Sequence, residues 1–322
     1  MWFKNILRRN RAAGRVTQRA AKSPTSRAQF KVDEVLLRRL ERLNLQSHRS
    51  LVGNPNSGEH PSRQQLPTTI FSDHRPYSHG DDYRSIDWNA YARHEQVVVK
   101  LGEAEQDINV HLLLDCSRSM AWGQPSKMVT AQHLLAAIGY IALAHSDRLR
   151  ITPFGNAILP GFGPSQGKGR TLDMLRFLAA AQPKEPTALT RPLHAYARQH
   201  ERGGLLVLCS DLLGAPEEVL DEALRAFTPP RWQVLVLHVL DPRELEPDLN
   251  GPLELEDAET GQRLPLTLDA ETLSAYKRNV TQWQERIAQT CVRRGVTYAQ
   301  VLTDWPMERS VVPYLRMRRV LQ

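Results

Sequence analysis

The chain is poor in cysteine. Cys116, Cys209 and Cys291 are its only three in 322 residues. None stands in a CxxC or Cys/His spacing that suggests zinc. Two follow apolar runs, "LLLDC" and "LLVLC", and read as buried thiols. An odd count without a secretory signal favours a reducing, cytoplasmic setting. Long apolar runs are scarce as well: none approaches the roughly 18 residues of a membrane-spanning helix. The start, "MWFKNIL", passes straight into arginines without the apolar core of a secretory leader. Acidic residues are missing from positions 1–31, which hold nine Lys and Arg. Positions 32–322 hold 33 basic and 35 acidic residues, so the net charge of +7 belongs to the tail. Such a tail suits peripheral contact with an anionic surface, lipid or protein. An Arg-rich, acid-poor start also resembles an organelle transit peptide, and the plainest reading is a solvated chain end. The body offers no evident basic groove, so no specific nucleic-acid partner is expected.

What is present reads as globular: 41% hydrophobic and 24% charged residues. After the tail, Val32, Val35, Leu36, Leu40 and Leu43 recur three or four apart, which predicts an amphipathic helix over 32–46. Residues 47–80 are rich in Ser, Pro, Gly, Asn and His and read as irregular chain. "QVVVKLGEA" and "DINVHLLLD" read as strands close enough to pair as an antiparallel hairpin. Beyond Asp115, strands are expected at 148–154, 204–211, 232–241 and 296–302. They alternate with helices at 126–146, 171–181, 189–200, 215–227, 271–295 and 307–321, the last bent at Pro313. A hairpin around Thr260-Gly261 is expected to interrupt this series at about 251–268. Alternating strands and helices predict an α/β fold, a mostly parallel sheet flanked by helices on both faces. The expected organisation is a basic tail (1–31), a helix with an irregular and hairpin segment packing on the main domain (32–105), and the main α/β domain (106–322).

The stretch "LLLDCSRSMAW" runs from an apolar strand into Asp115, with Ser117 and Ser119 at alternate positions after it. A second apolar strand ends in Ser210-Asp211. Open α/β sheets bind ligands at the carboxyl ends of their strands. If these two strands are neighbours, two carboxylates and the three serine hydroxyls converge on one rim. Such hard oxygens suit Mg²⁺, Mn²⁺ or Ca²⁺. Asp and Ser at these positions also suit a helix N-terminus.

D-x-S-x-S after an apolar strand, with a later Thr and a later strand-end Asp, resembles the metal-ion-dependent adhesion site of von Willebrand factor A domains. The resemblance implies the metal set Asp115, Ser117, Ser119, Thr187 and Asp211, with Thr190 as second choice for the threonine. Glu185-Pro186 stands where a small, glycine-containing turn is common in that family. Upstream, "FSDHRPYSHGDDYRSIDWNAYAR", together with "VLHVLDPRELE", is similar to the bacterial and archaeal "domain of unknown function 58" family. Arg75, Tyr77, Gly80, Asp81, Arg84, Asp87, Trp88 and Arg93 fall in its pattern and order, and the likeness runs from about His48 to the C-terminal region. It implies a von Willebrand factor A-like (Rossmann-like) fold, no catalytic activity, and action beside a MoxR-type AAA+ ATPase as a binding or chaperone-like component.

Other motifs carry less. "GPSQG" (163–167) matches G-x-S-x-G but lacks a leading strand, and "GFGPSQGKGR" has the wrong spacing for a phosphate loop. An Asp115 phosphorylated in catalysis would want a second acid where Ser117 stands. A metal-dependent phosphohydrolase on the same rim needs a general base or a second metal, and Glu185 is the single acid at a suggestive spacing. Asp81, Asp82 and Asp87 are expected to pair with Arg75, Arg84 and Arg93 in a structural network. His238, inside "VLVLHVLD", reads as a packed core histidine, and Arg118 as a possible partner for an incoming acid.

Overall fold

Three segments of the chain are apolar on both alternating faces: β3 (Asn109–Asp115), β6 (Gly204–Ser210) and β7 (Trp232–Leu240). Such strands require cover on both sides. The computed structural model describes residues 71–79, 83, 86–94, 96–102, 108–186, 188–213, 215–247, 251–256, 263–306 and 310–317. The basic tail, the helix expected over 32–46, Gly80, Asp81, Asp82, Arg84, Thr187 and the Thr260-Gly261 turn lie outside these residues. The chain divides into two units, one spanning Val52–Asp107 and the other containing everything from Ile108 onward.

In the larger unit, the three apolar strands are joined by β4 (Arg148–Phe154), β5 (Phe162–Ser165) and β10 (Thr297–Leu302) in one sheet of order β10-β7-β6-β3-β4-β5. All neighbours are parallel except β4 and β5. Period-two alternation divides the core. Val110, Leu112, Leu114, Val207 and Leu237 face α2 (Lys127–Ala144) and α3 (Thr171–Ala180). Leu113, Leu206, Leu208 and Val236 face α4 (Thr190–Gln199), α5 (Glu217–Leu224) and α7 (Ala270–Arg293). The short α6 (Pro242–Leu245) follows β7, and β8 (Gly251–Glu256) with β9 (Arg263–Leu268) forms the inserted antiparallel hairpin. The last described helix, α8, is Val312–Met317.

Helix α2 corrects one reading. Its 18 residues are long and apolar enough to cross a membrane by length and composition alone, although no run of that kind was expected. Leu134, Leu135, Ile138 and Ile141 of this helix are buried against the sheet, so here its apolar character serves the core.

The antiparallel pairing expected between "QVVVKLGEA" and "DINVHLLLD" does not form. In the smaller unit β2 (Val98–Gly102) pairs antiparallel with β1 (Phe71–Pro76). Strand β3 instead lies between β4 and β6, where its two apolar faces are both covered. The short helix α1 (Trp88–His94) was not expected; Asp87 caps it, its Oδ1 accepting from the Asn89 and Ala90 amides at 2.9 and 3.1 Å.

Candidate functional site

The chain leaves β3 toward β4 on one side and later builds β6 and β7 on the other. The strand order therefore reverses between β3 and β6, which is where an α/β sheet opens a crevice at its carboxyl edge. Asp115 ends β3 at that point and Ser210-Asp211 ends β6. Ser210 Oγ donates to Asp115 Oδ2 at 2.5 Å, and the Ser117 amide donates to Asp115 Oδ1 at 2.8 Å. Ser117 Oγ and Ser119 Oγ are 3.0 Å apart. A strand bridge between Ser117 and Glu185 and an Arg118 amide bond to the Glu185 carbonyl at 3.0 Å hold this loop against the 184–185 segment.

Asp211 does more than line the rim. Its Oδ2 meets Lys127 Nζ at 2.7 Å, and the same ammonium meets Glu244 Oε1 at 2.6 Å. Lys127 is the first residue of α2 and is 0% exposed, so its charge is carried entirely by these partners. Burial disfavours the Lys127 ammonium, but Asp211 and Glu244 outweigh it and hold its pKa above the ordinary value. Glu244 Oε2 accepts the Asp241 amide at 2.8 Å while Asp241 Oδ1 accepts that of Arg243 at 2.9 Å, a capping box that starts α6. His238 is buried behind the rim. Its Nε2 faces the Asp211 carbonyl at 2.9 Å and so bears the proton; Nδ1 accepts from Tyr298 OH at 2.7 Å. Burial pushes the His238 pKa down to about 4, so the ring is neutral.

The electrostatic balance of the rim is negative. Asp115 and Asp211 are 1% and 0% exposed, and with Glu244 they set three carboxyl groups against the single ammonium of Lys127. Burial first, and the Asp211 charge next, push the Asp115 carboxyl above the usual range despite its hydrogen bonds from Ser210 and Ser117. An excess of buried negative charge is relieved by a proton or by a cation. Among the described residues, no three His, Cys, Asp and Glu side chains cluster as an ion cage. Asp115 and the Ser117 and Ser119 hydroxyls are the oxygens that could hold an ion here. Asp211 stands beside them with its charge offset by the Lys127 ammonium.

Thr190 begins α4, and its hydroxyl donates to the Val219 carbonyl at 3.4 Å. Ser165 of "GPSQG" lies on the edge strand β5, opposite Leu149, and not on a strand-to-helix turn. All three cysteines are buried free thiols, and burial pushes Cys116 and Cys291 up to about 12. Lys127, Glu244 and Asp241 were not singled out in the sequence. Asp241 had a signal, since "VLHVLD" repeats the strand-end aspartate of "LLLD" and "LCSD", and D-P-R-E has capping-box spacing. Lys127 had none.

Fold and rim together define a doubly wound α/β protein with a polar, negatively charged switch point. Residues 73–286 match the family described as "Protein of unknown function DUF58", and the chain belongs to that family. Uncharacterized proteins of Mycobacterium bovis and Mycobacterium tuberculosis are each 28% identical over 269 residues, covering 81% of this chain and 83% of theirs. Among solved structures, the conserved hypothetical protein BatB from Bacteroides thetaiotaomicron is 17% identical with a TM-score of 0.37, over 66% of this chain and 98% of its own. An aerotolerance-related membrane protein from Bacteroides fragilis is 18% identical with a TM-score of 0.39, over 65% and 99%.

Proposed function

We propose that this chain is a non-enzymatic, cytoplasmic interaction module of von Willebrand factor A-like architecture. Its switch-point rim takes a divalent cation, Mg²⁺ or else Mn²⁺ or Ca²⁺, and through it an acidic side chain of a partner protein. The observation that carries this reading is the buried excess of carboxylates at Asp115, Asp211 and Glu244 over Lys127, beside two hydroxyls 3.0 Å apart. Asp115, Ser117 and Ser119 would hold the ion, with Thr187 as a further ligand in the resemblance. A hard cation with an open position supplies a docking point for one more oxygen ligand. The rim is flanked by Trp122, 52% exposed, with the Arg243 guanidinium 5.7 Å from its ring centroid. Trp and Arg are both enriched among the residues that carry most of the binding energy at protein interfaces. The partner that the family resemblance suggests is a MoxR-type AAA+ ATPase.

The phosphohydrolase alternative needs a free base near the ion. Asp211 and Glu244 share Lys127, and both Asp115 oxygens accept hydrogen bonds, so the arrangement favours binding over hydrolysis. Calorimetric titration of Mg²⁺ and Mn²⁺ into the wild type and Asp115→Ala tests the proposal. Saturable heat and a raised Tm in the wild type, both lost in the variant, are expected. Equal responses from both proteins would remove Asp115 from any ion site. Metal-dependent phosphate release that vanishes in Asp115→Ala would establish the alternative.

A further inference from the structure

A second charged feature lies at the other edge of the same sheet. Strand β3 spans seven residues, so its start is about 20 Å from the Asp115 rim. There, Asn109 and His111 of β3, Arg148 and Arg150 of β4, and the segment from Arg198 at the end of α4 to Gly203 line an open cleft of about 490 Å³. Four guanidiniums, Arg148, Arg150, Arg198 and Arg202, share it with one carboxylate, Glu201. Among the described residues none of the four is in an ion pair, whereas Arg225, Arg243, Arg286 and Arg294 each are. At the end of α4 the His200 carbonyl accepts from Arg231 Nη2, outside this set of four, at 3.3 Å.

We propose that this cleft binds a small phosphate-bearing anion of pyrophosphate or nucleotide size. Arginines gathered around one cleft carry like charges that an anion relieves, and their planar forks match phosphate oxygens in pairs. The volume lies within the range of small-molecule sites. The floor is built to stay fixed. His111 Nε2 faces the Gly203 carbonyl at 3.3 Å and Nδ1 lies 2.8 Å from Tyr196 OH. His111 also packs edge-on against Trp232, with ring centroids 5.0 Å apart. Burial, then His200 and Arg150, keep this imidazole neutral, with a pKa lowered to about 3. The recognition of charge is thereby left to the arginines, three of them exposed and Arg150 half-buried. The cleft shares no residue with the cation rim.

Titration of inorganic pyrophosphate into the full chain, with EDTA present, tests the proposal. Saturable binding is expected, weakened about tenfold or more by Arg150→Gln and, separately, by the paired Arg198→Gln and Arg202→Gln changes. The paired variant alters exposed positions and keeps the test decisive if Arg150→Gln misfolds. Asp115→Ala binds pyrophosphate as the wild type does. The basic tail is the same in every protein, so it contributes nothing to these differences. Absence of saturable binding in the wild type, or undiminished affinity in the paired variant, overturns the assignment. Phosphatidylcholine vesicles with and without phosphatidic acid distinguish the sources of the phosphate. Arginine-dependent retention on phosphatidic acid assigns a lipid headgroup, and pyrophosphate binding without retention assigns a free ligand.

Discussion

Ser210 donates a hydrogen bond from its hydroxyl to Asp115 Oδ2 across 2.5 Å, joining residues 95 positions apart at the place where the strand order reverses. The same Ser210 oxygen accepts the Leu212 amide at 3.0 Å, so one small side chain fixes both strand ends. Ser210→Ala leaves a fully buried carboxylate oxygen without its donor. A loss of about 1–3 kcal/mol is expected in urea denaturation. A midpoint equal to that of the wild type would show that water replaces the hydroxyl.

Lys127 is the next point of leverage. Lys127→Ala strips Asp211 and Glu244 of their shared cation and is expected to cost about 3–5 kcal/mol. Lys127→Met keeps most of the aliphatic stem and costs less. Because the rim then carries one positive charge fewer, Lys127→Met is expected to bind Mg²⁺ more tightly while lowering Tm. Weaker Mg²⁺ binding in a folded Lys127→Met protein would mean that the ammonium organises the rim and does not compete with the ion.

His111 makes stability depend on pH. Its folded pKa, about 3, lies below the 6.5 of the unfolded chain, so the unfolded state binds the extra proton between these values. The contribution is complete above 6.5 and is lost as pH falls toward 3. From pH 6.5 to about pH 5 this amounts to roughly 2 kcal/mol. Urea midpoints for wild type and His111→Gln at these two pH values check it. The variant is expected to be less stable at the higher pH and to lose less on acidification.

Gly155 backs onto Glu185, and a Cβ there would collide with the Glu185 Cβ and Cγ. Gly155→Ala is expected to displace the 184–185 segment from Ser117, at about 1–3 kcal/mol. A thermal scan with and without Mg²⁺ reads both effects: a lower Tm and a smaller ion-induced rise. An unchanged ion response would show that the Ser117 loop keeps its place without the Glu185 bridge.

The parts of the fold legible in the sequence were those whose pattern is set by burial. The apolar runs at 204–211 and 232–241 announce buried strands, 148–154 reads as a strand, and Asp115 and Asp211 each stand at the end of an apolar run. Pairing was harder to read. The short interval between Val98–Gly102 and Asn109–Asp115 favours a local hairpin, yet a doubly apolar β3 gains more between β4 and β6. Strand β5 escaped notice because Gly161, Gly163 and Pro164 look like loop chemistry, and an edge strand tolerates them. The Lys127 pairing was illegible for a different reason. It joins residues 84 and 117 positions apart, and a single lysine at the start of an apolar helix carries no periodic signal.

The hairpin of β8 and β9 leaves the body between α6 and α7, and Tyr276 OH ties those two helices by donating to the Glu244 carbonyl at 2.6 Å. Glu244 grips Lys127, and Lys127 grips Asp211. The helix that carries the chain away from the hairpin is thus pinned, through Glu244 and Lys127, to the strand end that holds Asp211.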